Sequence, residues 1–132
     1  MRVLIVEDDF VSRKMLHKIL AVYGECDIAV DGREAVQAFS MALDNAAPYD
    51  LVCMDIMMPL MDGLEALRQI RKLEEEKGIH EMNGAKVVMT TAVDDKKQIT
   101  QAFYQGGAAS YFVKPIDKDK LLGELRILGL VA

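Results

Sequence analysis

No run of apolar residues in this chain is long enough to act as a signal peptide or to span a membrane. The opening segment, Met1 to Val6, runs straight into Glu7, Asp8 and Asp9, whereas a spanning helix needs about 20 mostly apolar residues. Cysteine is equally scarce. Cys26 and Cys53 lie in separate strand-like stretches, and neither their number nor their spacing suits a disulfide framework or a zinc site, so a reducing, cytoplasmic setting is expected. Positive charge is also in short supply: 16 Lys plus Arg against 21 Asp plus Glu leave a net charge of −5. That balance argues against a surface built to hold nucleic-acid phosphates. No repeat, low-complexity tract or linker breaks the chain. What is present suits one domain with a real core: 132 residues, 52% hydrophobic and 28% charged, expected to fold as a unit over 1–132 with no output domain.

Short apolar runs ended by Gly, Asp or Pro alternate with longer segments of helical period, the pattern of repeated strand and crossover-helix units. Strands are expected over Arg2 to Val6, Asp27 to Val30, Leu51 to Met54, Lys86 to Thr90 and Ser110 to Val113. The first, third and fourth are nearly continuous hydrophobic runs, as parallel strands covered on both faces should be. The second alternates and is expected at an edge. Five apolar stripes mark the helices: Val11, Met15, Ile19 and Val22; Ala35, Phe39 and Ala42; Ala66, Ile70 and Leu73; Ile99, Ala102, Phe103 and Gly106; Leu121, Leu125 and Leu128. Asp31 and Asp62 each precede a glutamate by three residues, a helix-start signal. The polar stretch from Glu74 to Gly84 is expected to extend the third helix as a solvated face and then loop back. The outcome is a doubly wound α/β fold, (βα)₅.

In such a sheet, ligands bind beyond the carboxyl ends of the strands. The residues there are Glu7 and Asp8 after the first strand, Asp55 after the third, Thr90 and Thr91 at the fourth and Lys114 after the fifth. Any one of them could merely cap a strand, but the set is specific. Three carboxylates crowded together repel unless a hard divalent cation such as Mg²⁺ neutralises them through oxygen ligands. Asp55, on a central strand, could share that cation with Asp8 and keep one oxygen free to attack phosphorus, giving an acyl phosphate. Mg²⁺, the Lys114 ammonium and a threonine hydroxyl would then hold the phosphoryl oxygens. Adjacent strands lie about 4.8 Å apart, so Lys114 must cross the fourth strand to reach Asp55. The small side chains of Thr91 and Ala92 leave it room.

The segments Val6-Glu7-Asp8, Met54-Asp55-Ile56-Met57-Met58-Pro59-Leu60-Met61-Asp62-Gly63, Thr91-Ala92 and Gly107 to Pro115 together resemble the receiver domain of bacterial two-component response regulators, from Arg2 to about Leu128. The resemblance implies a flavodoxin-like sheet of order 2-1-3-4-5. It implies a phosphoryl group passed to Asp55 from a histidine kinase or histidine phosphotransfer protein, with Mg²⁺ bound by Asp8, Asp55 and the carbonyl of Met57, and by Glu7 through water. Lys114 would pair with the phosphoryl group, Thr91 would bond one of its oxygens, and Tyr111 would act as the aromatic switch. Such a protein is not an enzyme towards other substrates. Its further partners are an unnamed downstream protein or, when phosphorylated, a second copy of itself.

Two choices are tied to the resemblance. Glu7 and Asp8 are preferred to Asp9, which is left to cap the first helix, and Thr91 is preferred to Thr90 because a small residue follows it. A cis Lys114–Pro115 peptide is expected, aiming the lysine back at the site. Members that lose the phosphoryl group quickly tend to carry polar side chains where this chain has Met57 and Val93, which implies a long-lived acyl phosphate. Met57, Met58 and Met61 either pack as core or present an adaptable contact surface. The rival class is a small aspartate-nucleophile phosphohydrolase. Such enzymes need an acid two residues after the nucleophile to protonate the leaving group, and Met57 occupies that position.

Overall fold

The computed structural model describes residues 1–92 and 96–132, with Glu81 in its backbone only. Five parallel strands form one sheet: β1 (Arg2–Val6), β2 (Glu25–Ala29), β3 (Leu51–Asp55), β4 (Lys86–Thr91) and β5 (Ser110–Val113), in the order β2-β1-β3-β4-β5. The helices between and after them are α1 (Phe10–Leu20), α2 (Gly32–Asp44), α3 (Gly63–Glu76), α4 (Lys96–Gly106) and α5 (Lys118–Ile127). Among the described residues, no helix is long and apolar enough to cross a membrane.

Side chains alternate across the central strands and feed two cores. Leu4 and Val6 of β1, Val52 and Met54 of β3, and Val87 and Met89 of β4 face α2, α3 and α4. Val3 and Ile5, Leu51 and Cys53, and Val88 face α1 and α5. Continuous hydrophobic strands are the consequence of covering both faces. Four helix starts carry an aspartate whose carboxylate accepts from the amide three residues on, Asp9 from Ser12, Asp31 from Glu34 and Asp62 from Glu65, each at 2.9 Å, and Asp117 from Lys120 at 3.0 Å, satisfying amides the helix leaves free.

The structure revises four details of the sequence reading. β2 begins two residues earlier than expected and stops before Val30, because it pairs residue for residue with the five of β1, Arg2 opposite Glu25 through Val6 opposite Ala29. The buried face of α1 is Leu16, Ile19 and Leu20, not the stripe through Val11 and Val22; Val11 is 72% exposed, and Val22 lies beyond the helix. The face is rotated because the inward positions nearest the helix start are polar. Phe103 sits on the outward flank of α4, partly exposed, with its ring edge-on to Tyr111. Glu74 is not part of a solvated face: it is buried and holds the amide of Ala85 at 2.7 Å.

Candidate functional site at the carboxyl edge of the sheet

The acids of the site arrive on two neighbouring strands. β1 and β3 pair Ile5 with Cys53 and Val6 with Met54, so Glu7 and Asp8 leave β1 beside Asp55 at the end of β3. Asp55 is held from behind. The amide of Ile56 donates to the carbonyl of Thr90 at 2.9 Å, and that of Gly63 to the carbonyl of Ile56 at 2.7 Å. A Cβ on Gly63 would lie 2.2 Å from the carbonyl oxygen of Asp55, so a glycine is required for α3 to begin against the end of β3.

Carboxylate oxygens of Glu7, Asp8 and Asp55 all lie within 4.8 Å of one another, Glu7 and Asp55 buried and Asp8 exposed. Oxygen donors alone, converging from three carboxylates, suit a hard cation such as Mg²⁺. Lys114 reaches the same place across β4. Its ammonium pairs with Asp55 at 3.1 Å and with Glu7, and its amide donates to the carbonyl of Thr91 at 2.8 Å. The Lys114–Pro115 peptide is cis, as expected.

Burial pushes the Glu7 carboxyl above its usual range and the charge of Asp55 adds to this, against the Lys114 ammonium and the Asp9 amide that donates to it. Burial acts to lower the Lys114 ammonium, but Glu7 and Asp55 outweigh it and hold the group above its ordinary value. The lysine therefore stays charged at neutral pH, where it can meet an anion.

The remaining expected residues fall around this cluster. Asp9 caps α1 and its carboxylate is engaged there. Thr90 lies opposite Asp55 in register, and Thr91 ends β4 opposite Val113; both are buried. Tyr111 pairs with Met89, so by strand alternation Thr91 and Tyr111 share the sheet face covered by α4, and Thr90 faces the other way. Tyr111 is 39% exposed, its ring 6.0 Å from that of Phe103. The amide of Met57 donates to Asp55 at 3.3 Å while its side chain is largely exposed. Met58 and Met61 pack against the core. Val93 lies outside the described residues. Two polar residues escaped the sequence reading, Arg13 beside the acidic turn and Glu74 at the far end of α3. Stepping back from Leu20 to Leu16 by four and to residue 13 by three would have found the first.

The response regulator receiver domain family matches residues 3–126. The chemotaxis protein CheY of Treponema pallidum is 38% identical over 123 residues, covering 92% of this chain and 77% of that protein. The two-component response regulator ORR41 of Oryza sativa is 35% identical over 120 residues, covering 91% and 87%. Among solved structures, the CheX–CheY–BeF3–Mg complex from Borrelia burgdorferi matches with a TM-score of 0.82 at 30% identity, over 98% of this chain and 89% of that one. The acidic cluster of Glu7, Asp8 and Asp55 fits the magnesium-binding phosphoacceptor site of such domains. Fold, acidic cluster and likeness agree: this chain belongs to the response regulator receiver domain family, the CheY-like signalling domains of two-component systems.

Proposed function

We propose that this chain is a phosphorylation-controlled switch in which Asp55 accepts a phosphoryl group from a histidine kinase or a histidine phosphotransfer protein. The observation that carries the reading is the meeting of the Lys114 ammonium with the Asp55 carboxylate, inside a triangle of carboxylates fit for a cation. Asp8, Asp55 and the carbonyl of Met57 would hold Mg²⁺ directly and Glu7 through water. Bound there, the ion supplies charge neutralisation for incoming phosphate. Asp55 is the nucleophile, and Lys114 offers its charge to the phosphoryl oxygens. Thr91 and Tyr111, on one face of the sheet, serve as the switch: the threonine hydroxyl moves to the phosphoryl group and the tyrosine ring turns into the space released. The face of α4, β5 and α5 then favours a downstream protein or a second copy of the chain. Chemistry is confined to the protein's own aspartate and proceeds in the cytoplasm. The phosphohydrolase alternative lacks its acid, since Met57 stands two residues after Asp55.

The test is intact-mass analysis after incubation with Mg²⁺ and acetyl phosphate. The wild-type chain is expected to gain one phosphoryl group and Asp55→Ala none. Labelling of both to the same extent, or of neither, would overturn the assignment.

A further inference from the structure

The inward stripe of α1 runs from Leu20 through Leu16 to Arg13. The two leucines are buried in the core, and Arg13, half-buried, emerges over the acidic turn that follows β1. One nitrogen of its guanidinium donates to the carbonyl of Glu7 at 3.1 Å and approaches that of Asp8 at 3.4 Å. Its central carbon lies 5.5 Å from the centre of the Phe10 ring, which borders it on the solvent side. Arg13 thus grips the backbone of both acids whose carboxylates face Asp55. The Glu7 side chain has other anchors, Lys114 and the Asp9 amide at 3.2 Å. The Asp8 side chain is exposed, and among the described residues no donor holds its carboxylate. Its placement depends on the backbone beneath it.

We infer that Arg13 is a positioning residue for divalent-cation binding, fixing the Asp8 backbone so that an otherwise unsupported carboxylate completes the triangle with Glu7 and Asp55. The inference rests on the cation reading of the site given above. Two consequences of Arg13 have opposite signs. As a positive charge beside a cation site it opposes binding, so removing the charge alone tightens affinity. As a support behind a ligand it favours binding, and losing such a support typically weakens metal affinity 10–100-fold. The second effect is expected to win, because a free carboxylate must otherwise be ordered by the ion itself.

The experiment is a Mg²⁺ titration of the full chain without phosphodonor at constant ionic strength. It follows amide NMR shifts of residues 7–9 and 55–57 in wild type, Arg13→Ala and Arg13→Lys. Arg13→Ala is expected to bind Mg²⁺ about tenfold more weakly. Arg13→Lys keeps the charge and, being conservative, guards against loss of the fold. Its compact ammonium is a poor substitute for a planar guanidinium fork, so it is expected to recover only part of that affinity. Melting curves recorded alongside confirm that both variants are folded at the titration temperature. Affinity equal to or tighter than wild type in folded Arg13→Ala, or full recovery in Arg13→Lys, overturns the inference while leaving the cation site intact. A wild-type chain that takes up no Mg²⁺ overturns both.

Discussion

Leu60 occupies a backbone conformation that its own side chain opposes. Its φ is 67°, and the amide of Met61 donates back to the carbonyl of Pro59 at 2.7 Å, closing a three-residue turn of the strained kind. Nothing buried rewards the leucine, whose side chain is 75% exposed. The turn persists because the loop is fixed at both ends, by Gly63 on Ile56 and by the amide of Gly32, which donates to the carbonyl of Met61 at 3.2 Å. A left-handed residue with a Cβ costs about 1–3 kcal/mol, and glycine returns about 0.5–1 kcal/mol of that through its greater unfolded entropy. Leu60→Gly is therefore expected to stabilise the chain by about 1 kcal/mol, read as a higher urea midpoint with an unchanged slope. A lower midpoint would mean that the exposed leucine packs usefully after all. The acidic site was legible at this scale because its residues are chemically unusual for strand ends. Leu60 was not, because a hydrophobic letter in a loop carries no sign of its φ.

At the scale of elements, the polar residues that matter most are those a periodic reading assigns to solvent. Glu74 continues the inward stripe of α3 from Leu67 and Ile70, at spacings of three and four, yet its charge reads as outward. In the fold it accepts the amide of Ala85 at 2.7 Å and pairs with Arg71 at 2.7 Å. Arg71 in turn donates to the carbonyls of Ala85, Gly106 and Gly107. One ion pair thus ties the last turn of α3 to the start of β4 and the end of α4. Removing one partner of a buried pair leaves the other uncompensated, at about 3–5 kcal/mol. Arg71 retains some access to water, which favours the lower end. Glu74→Ala is expected to cost about 3 kcal/mol in chemical denaturation, and Glu74→Gln less, because an amide oxygen can still accept from Ala85. A loss below about 1 kcal/mol for the alanine variant, the range of an exposed ion pair, would show that the pair is not a buried clamp. Helix number and the strands themselves were legible because apolar runs must be buried, and the strand order followed from the family resemblance. Arg13, Glu74 and the rotated face of α1 were not legible, since each turns polar atoms inward onto backbone groups that a helical period does not place beside them.

Over the whole molecule, the sheet separates chemistry from support. The carboxyl edge gathers repelling acids, and the opposite end is closed by a polar clamp. The Tyr49 hydroxyl, just ahead of β3, donates to Asp27 of β2 at 2.6 Å. Arg2 of β1 pairs with Asp27 at 3.1 Å and stacks over the Tyr49 ring at 4.8 Å. Burial, reinforced by the bond to Asp27, pushes the Tyr49 hydroxyl up to about 12, whereas tyrosine in an unfolded chain titrates near about 10. Between those values the native state keeps a proton that the unfolded state has released, so stability falls as pH rises. The contribution is complete below about pH 10 and lost as pH climbs through about 12. Tyr49→Phe removes this titration together with one hydrogen bond, worth about 1 kcal/mol at neutral pH. Unfolding free energies from urea titrations between about pH 8 and 11 should show wild type ahead of Tyr49→Phe at the low end and the gap narrowing as pH rises. Every other titrating group is common to both proteins and cancels in that difference. A gap that stays constant, or widens, would mean that the hydroxyl ionises no later in the fold than in the open chain, and that the clamp does not hold its proton.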